Sequence, residues 1–251
     1  MIMEKLTSVS NPVIKSLRAL KTVSGRQEQG LISVEGEVMI NEALKCGLVP
    51  KTALVSEPSA VASTLQRAGA KVYIADMRLI ESVCDTKTPQ GCVCSFNTPA
   101  ARPIVDARFI VALDGVQDPG NVGTIIRTAD AAGFDGVLLG RGCADVYSQK
   151  VQRAAMGSAF RMALEAGELA RILPEYRLKG FSIVVSRLDG EPLYQSPRPA
   201  KAVLVIGNEA RGVSDEIKSL ADIGVKIPMR GGAESLNAAV AAGVLMYELT
   251  R

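Results

Sequence analysis

The stretch Lys201-Ala202-Val203-Leu204-Val205-Ile206-Gly207-Asn208-Glu209-Ala210-Arg211-Gly212 decides the fold class. Its first half is apolar at every position rather than at alternate ones. That is the pattern of a strand covered on both faces, at the centre of a parallel sheet. Its second half breaks abruptly into glycine and polar residues. Two more turns share this form. Leu113-Asp114-Gly115-Val116-Gln117-Asp118-Pro119-Gly120-Asn121-Val122-Gly123 follows an apolar run from Phe109 and leads to Arg127. Ile227-Pro228-Met229 ends another run, and Ser235-Leu236-Asn237 then opens a helix of alanines and other apolar residues. Open α/β sheets bind ligands in the crevice beyond the carboxyl ends of their strands, so these turns locate a candidate site.

Outward from it, hydrophobic periodicity predicts alternating elements on both sides of a linker. Before the linker, strands are expected over 31–34, 54–55, 71–74 and 92–96. The helices there are one capped by Asn11 with Pro12 at its first position, and others over 37–46, 60–68 and 77–83. After it, strands are expected over 109–113, 136–139, 162–164, 183–185, 203–206 and 225–227, with helices over 122–132, 149–156, 169–178, 213–220 and 236–249. Asn121 and Ser235 are the natural N-caps of the first and last of these. Two prolines in Asn97-Thr98-Pro99-Ala100-Ala101-Arg102-Pro103 mark the junction. The organisation expected is an N-terminal α/β domain over 1–97, a linker over 98–106 and a second α/β domain over 107–251.

Composition narrows the chemistry. The 251 residues are 47% hydrophobic, and no apolar run is long enough to span a bilayer. The first residues lack the apolar core of a signal peptide. Five cysteines in no framework spacing suit a reducing compartment, so a cytoplasmic location is expected. Cys92 and Cys94 share one face of a strand, but no further pair or histidine completes a metal site; they are expected to be buried packing residues, with no metal. The net charge of +3 is concentrated at the start, where Lys5, Lys15, Arg18, Lys21 and Arg26 face only Glu4 and Glu28. A basic helix of this kind suits a phosphate backbone. The chain has no histidine, which removes the commonest general base and metal ligand. Nucleotide-binding signatures are absent as well: the glycines fit neither G-x-G-x-x-G nor G-x-x-x-x-G-K-[ST].

Taken together, Asn121-x-Gly123-x-x-x-Arg127, Gly207-x-Glu209-x-x-Gly212, Ile227-Pro228-Met229 and Ser235-Leu236-Asn237 resemble, in order and spacing, the three motifs of SpoU-type RNA ribose methyltransferases of the SPOUT superfamily. Lys150, Arg153, Met156 and Gly157 resemble an intervening segment of that family. The likeness covers roughly 107–251, and the N-terminal half is similar to the small substrate-binding domain, related to ribosomal proteins, that is often fused to it. The resemblance implies a C-terminal parallel sheet with a deep trefoil knot, a homodimer, and S-adenosylmethionine as cofactor. It implies methylation of a ribose 2′-hydroxyl, with ribosomal RNA as the expected substrate and transfer RNA as the alternative. By motif position, Arg127, Asn121, Glu209, Ser235 and Asn237 are the expected catalytic residues. Ile206, Gly207, Ile227, Met229 and Leu236 are expected to bind the cofactor. Lys15, Arg18, Lys21, Lys150 and Arg153 are the expected RNA contacts. Ala239 and Ala210 replace a serine and a glycine common in the family. The rivals are a base methyltransferase of the same superfamily and a catalytically silent RNA-binding or ribosome-assembly protein.

Overall fold

Two sheets organise the chain. The computed structural model describes residues 3–251. They divide into one unit made of the residues up to Ala100 plus Asp145–Arg161, and a second made of Ala101–Ala144 and Met162–Arg251.

The first unit begins with β1 (Lys5–Leu6), α1 (Pro12–Ala19), α2 (Val23–Gln29), β2 (Leu31–Glu35) and α3 (Glu37–Lys45). It continues with β3 (Pro50–Val55), α4 (Ala60–Arg67), β4 (Lys71–Ala75), α5 (Met77–Val83) and β5 (Cys92–Asn97). The sheet order is β1-β4-β3-β5-β2, with β5 antiparallel to both neighbours. The Asn11 side chain accepts from the Val13 N–H at 2.8 Å and Pro12 starts α1, which buries Ile14 and Leu17, as the stripe in the sequence required. Helix α2 was not expected, because Val-Ser-Gly-Arg-Gln has no apolar period. Thr22 caps it, and Gly25 fits only because it lacks a Cβ, which would lie 2.1 Å from the Ala19 carbonyl oxygen. One face of the sheet packs Ile32, Ile40, Leu65 and Phe96; the other packs Ile14, Leu17, Leu79 and Val93.

The second unit starts with β6 (Phe109–Asp114), α6 (Pro119–Ala131) and β7 (Gly136–Leu139). Next come α7 (Gln149–Ala155) and α8 (Ser158–Arg161), which belong to the first unit. The second unit resumes with β8 (Ala163–Ala166), α9 (Leu169–Leu178), β9 (Ser182–Pro192) and, after a 3-10 turn, β10 (Ala202–Gly207). It ends with α10 (Asp215–Lys218), β11 (Ile223–Lys226) and α11 (Ala238–Thr250). Every pairing in its sheet is parallel, in the order β11-β9-β10-β6-β7-β8. The apolar run around Val203 is therefore an inner strand, and Ala202 to Val205 are fully buried.

Strand β9 runs well beyond the expected 183–185. Val185 pairs with Gly224 and Glu191 with Val225, so residues 186–190 loop out between consecutive partners on β11. Gly190 makes this possible: a Cβ there would meet the Gly224 and Val225 backbone at 2.7 Å.

The segment Asp145–Arg161 departs from the expected single domain over 107–251. Its anchors are buried and polar. Gln149 Nε2 donates to Ser33 Oγ at 3.0 Å, and its Oε1 accepts from the Asp85 N–H at 2.7 Å. Gln152 Nε2 donates to the carbonyls of Ser33 (3.1 Å) and Tyr147 (2.8 Å), Arg26 pairs with Asp145, and Phe160 enters the first unit's core. Polar groups stay buried cheaply only when bonded in this way. Deleting residues 1–100 thus strips the partners from Gln149, Gln152 and Phe160. The truncated chain is expected to aggregate, whereas a truncation that also replaces 145–161 by a short linker is expected to elute as a discrete species in size-exclusion chromatography.

Cys92 and Cys94 are buried in β5, as expected of packing residues, and Cys84 is buried at the end of α5. Burial pushes the Cys84 thiol up to about 12 and the Cys92 thiol to about 11, and raises Cys94 as well. In the native protein at pH 8, these three are expected to resist iodoacetamide while half-buried Cys46 reacts, which peptide mapping by mass spectrometry checks.

Candidate active site

The three polar turns converge at the carboxyl ends of β6, β10 and β11. Where β10 ends, Asn208 exchanges backbone hydrogen bonds with Gly212 (3.0 and 2.8 Å), and its Oδ1 accepts from the N–H groups of Ala210 and Arg211. Asn208 Nδ2 donates to the Gly115 carbonyl at 2.8 Å, and Asp114 accepts from the Ser214 N–H at 2.7 Å, so the β10 turn is tied to the β6 turn twice. Gly207 is obligatory. A Cβ there would stand 2.1 Å from the backbone of Gly212 and Val213.

Glu209 reaches across this junction. Its carboxylate accepts from the N–H groups of Gln117 (3.2 Å) and Asp118 (3.1 Å) and from Asn121 Nδ2 (2.9 Å). Asn121 Oδ1 in turn accepts from Asn237 Nδ2 at 2.9 Å. One chain of side chains thus links all three motifs. Two capping expectations are corrected here. Asp118, followed by Pro119, is the N-cap of α6 and places Asn121 one turn inside; Asn237, not Ser235, caps α11, accepting from the Ala239 and Val240 N–H groups. Asp–Pro is the stronger start signal, because proline has no N–H to leave unbonded. The shift frees the Asn121 side chain to bridge Glu209 and Asn237.

Partial desolvation alone would push the Glu209 carboxyl up. The hydrogen bonds from Asn121 and from the backbone N–H groups of Glu209, Asp118 and Gln117 outweigh it, and the net shift is downward. Glu209 is therefore an ionised acceptor at neutral pH.

Beside this junction lies a cleft of about 600 Å³. Ile206, Gly207, Ile227, Met229 and Leu236 line it, together with Glu209, Ser235 and Asn237. All five expected cofactor residues therefore share one cavity, and three of the five expected catalytic residues border it. Asn121 joins them through its bonds to Glu209 and Asn237. Arg127 stands apart: it is exposed on α6 and lies outside the cleft lining. The volume and the mixture of apolar walls with a few polar groups suit a small-molecule site, and Leu236, at 38% exposed, offers bare apolar surface to an occupant.

Several residues at the cleft belong to none of the sequence motifs. Residues 186–189 line the cleft from the β9 loop, where Arg187 grips Asp189 through two 2.9 Å bonds and holds that carboxyl below its usual range. Asn208, Arg211, Lys218 and Lys226 also border it. The only signal for the loop was Gly190 after Asp189; Asn208, Arg211 and Lys226 stand beside motif residues, and Lys218 carries no signal in the sequence.

Residues 108–247 match the SpoU rRNA methylase family, and residues 11–94 match the MRM3-like substrate-binding domain. The chain belongs to the SpoU family. It is 35% identical over 248 residues to the 23S rRNA (guanosine(2553)-2′-O)-methyltransferase RlmP of Bacillus subtilis, covering 98% of this chain and 99% of that one. An AdoMet-bound rRNA methyltransferase from Sinorhizobium meliloti superposes with a TM-score of 0.87 at 33% identity, covering 98% and 97% of the two chains. The SpoU methyltransferase AviRb of Streptomyces viridochromogenes, also with AdoMet, gives 0.83 at 29% identity, covering 96% and 97%. The expected family, parallel-sheet architecture and N-terminal substrate-binding domain are thereby established. Among the described residues, no helix is long and apolar enough to cross a membrane.

A depressed carboxyl contributes stability that is complete above the ordinary carboxylate pKa and is lost as pH falls through the lower folded value. Glu209→Gln would turn an NH₂ group toward backbone N–H donors. Its Tm deficit against the parent is expected to be largest at pH 7 and to shrink as the pH falls below the ordinary carboxylate range and Glu209 itself takes up a proton; thermal melts across a descending pH series check this.

Proposed function

We propose that this chain is an S-adenosylmethionine-dependent methyltransferase acting on a ribose 2′-hydroxyl of ribosomal RNA. The observation that carries the reading is the bonded chain Glu209–Asn121–Asn237 at the edge of a cleft lined by Ile206, Gly207, Ile227, Met229 and Leu236. The fit to the cofactor rests on the tight backbone turn that Gly207 permits at the cleft wall and on the apolar walls. When bound, the cofactor supplies a methyl group already activated by its sulfonium. The protein's task is then to bind, orient and manage one proton.

The residues divide that work. Glu209 already accepts three N–H donors, so it is a strut that fixes Asn121 rather than a free base. Asn121 and Asn237 carry the junction toward the cleft. Ser235 presents an exposed hydroxyl at the lining. Arg127 is exposed on α6. A guanidinium resists deprotonation, so its assigned role is to hold a phosphate or ribose oxygen and stabilise the developing alkoxide.

A homodimer belongs to the same proposal. Val240 and Tyr247, seven residues apart on one face of α11, are 52% and 56% exposed, and Gly243 between them lies against Thr128 of α6. A second copy of the chain would cover that strip. The trefoil knot, a boundary within 98–106 and a cytoplasmic location complete the reading; family membership and five free cysteines support them.

The test is to incubate the protein with methyl-labelled S-adenosylmethionine and total RNA from cells lacking this gene, then digest the RNA to nucleosides. The expected product is a labelled 2′-O-methyl nucleoside, absent with Arg127→Ala although that variant still binds cofactor. Label in a methylated base would overturn the reading. Near-normal turnover by Arg127→Lys would remove the guanidinium from the mechanism. In a separate calorimetric titration, Gly207→Ala is expected to bind the cofactor at least about tenfold more weakly, since its methyl displaces the Gly212–Val213 backbone.

A further inference from the structure

Three cations expected from the sequence to meet RNA, neighbouring Arg18 and Lys21 and the distant Arg153, are tied within the first unit to one short segment, residues 82–86. Arg18 Nη2 donates to Ser82 Oγ at 3.0 Å. Lys21 Nζ donates to the Cys84 carbonyl at 2.7 Å and lies 3.3 Å from Asp85 Oδ1. Thr86 Oγ1 donates to Glu35, whose other oxygen lies 3.4 Å from Arg153 Nη1. Gln149 bonds the Asp85 N–H from the same helix that carries Arg153.

We propose that residues 82–86 organise a continuous strip, Arg18–Lys21–Arg153, that holds the phosphate backbone of the RNA, and that Glu35 is a positioning residue which presets Arg153 for it. The inference rests on the reading that RNA is the substrate. The Glu35 side chain is 5% exposed and that of Arg153 is 37% exposed, so the guanidinium is anchored on its inner edge and open on its outer one. Arginine has five N–H donors in a fixed fork, and the contact with Glu35 is made through Nη1. The side chain of Lys21 is likewise 34% exposed. An arginine already held in place loses less freedom on meeting a phosphate. Phosphate contacts of this kind fix register without reading bases.

The experiment measures binding of the full chain to deproteinised ribosomal RNA across a potassium chloride series, with thermal melts in parallel. Arg153→Ala is expected to reduce the slope of log K against log salt by roughly 0.7–0.9, the loss of one phosphate contact, and to lower the Tm because Glu35 stays buried without its cation. The double variant Glu35→Gln/Arg153→Ala is expected to regain Tm but neither slope nor affinity. Glu35→Gln alone should keep the slope and bind about three- to tenfold more weakly, having lost only preorganisation. A double variant that recovers wild-type affinity and slope would make the joint purely structural and overturn the proposal. So would wild-type slopes in all three variants while the parent binds and methylates RNA. Absence of salt-dependent RNA binding by the parent itself would bring down the substrate reading and this inference together.

Discussion

The site depends on one carboxylate bridging two strand ends. Three turns, the first 88 residues from the second along the Asn121–Glu209 bond, have to be held in register, and turns on their own are costly to fix, at roughly 1–2 kcal/mol of backbone entropy per residue. Glu209 spends its acceptors on Gln117, Asp118 and Asn121, and Asn121 passes the constraint to Asn237. The charge of Glu209 strengthens those bonds, and they in turn keep it ionised. Preorganised polar groups stabilise developing charge without rearranging during the reaction. A strut of this kind serves a chain without histidine, in which the reactive electrophile is brought by the cofactor and the protein contributes geometry.

Glycine carries the complementary constraint. Gly207 and Gly190 are sites where a methyl group would strike backbone at 2.1 and 2.7 Å, and both border or feed the same cleft. At Gly207 close approach brings the β10 turn against its own return; at Gly190 it lets β9 leave its partner and rejoin it, carrying Arg187 and Asp189 to the cleft wall. Neither effect comes from a left-handed backbone. Both come from volume, and a larger residue at either position would have to move main chain rather than a side chain.

Much of this was legible in the sequence where one local rule dominates. Asn11-Pro12 capped a helix as expected, and the buried runs at 109–113 and 203–206 became inner strands of a parallel sheet. The order and spacing of the motifs brought Ile206, Gly207, Ile227, Met229 and Leu236 to one cavity. What was missed depends on partners distant in sequence. Helix α2 lacks an apolar period and exists because Thr22 caps it and Gly25 fits against Ala19. β1 is two residues long and is a strand only through its pairing with β4. The loop over 186–190 is defined by the β11 register, which no local pattern encodes. Asp118 outcompeted Asn121 as a cap because of the proline beside it, a signal that was present in the sequence and underweighted.

The segment Asp145–Arg161 shows why a boundary near residue 100 describes the chain incompletely. Periodicity marks it as one more helix of an alternating series, and the motif likeness of Lys150, Arg153, Met156 and Gly157 attaches it to the methyltransferase half. Its packing is decided by Gln149 and Gln152, two neutral side chains that hydrophobic patterning scores as surface, yet both are buried and bonded to Ser33. The chain therefore passes between the units at three places, after Ala100, Ala144 and Arg161. No single cut separates them, and the substrate-binding unit is completed by residues encoded inside the catalytic half. The first unit's sheet is encoded wholly within residues 5–97, but its completion by 145–161 requires a chain that already includes β6, α6 and β7 of the second.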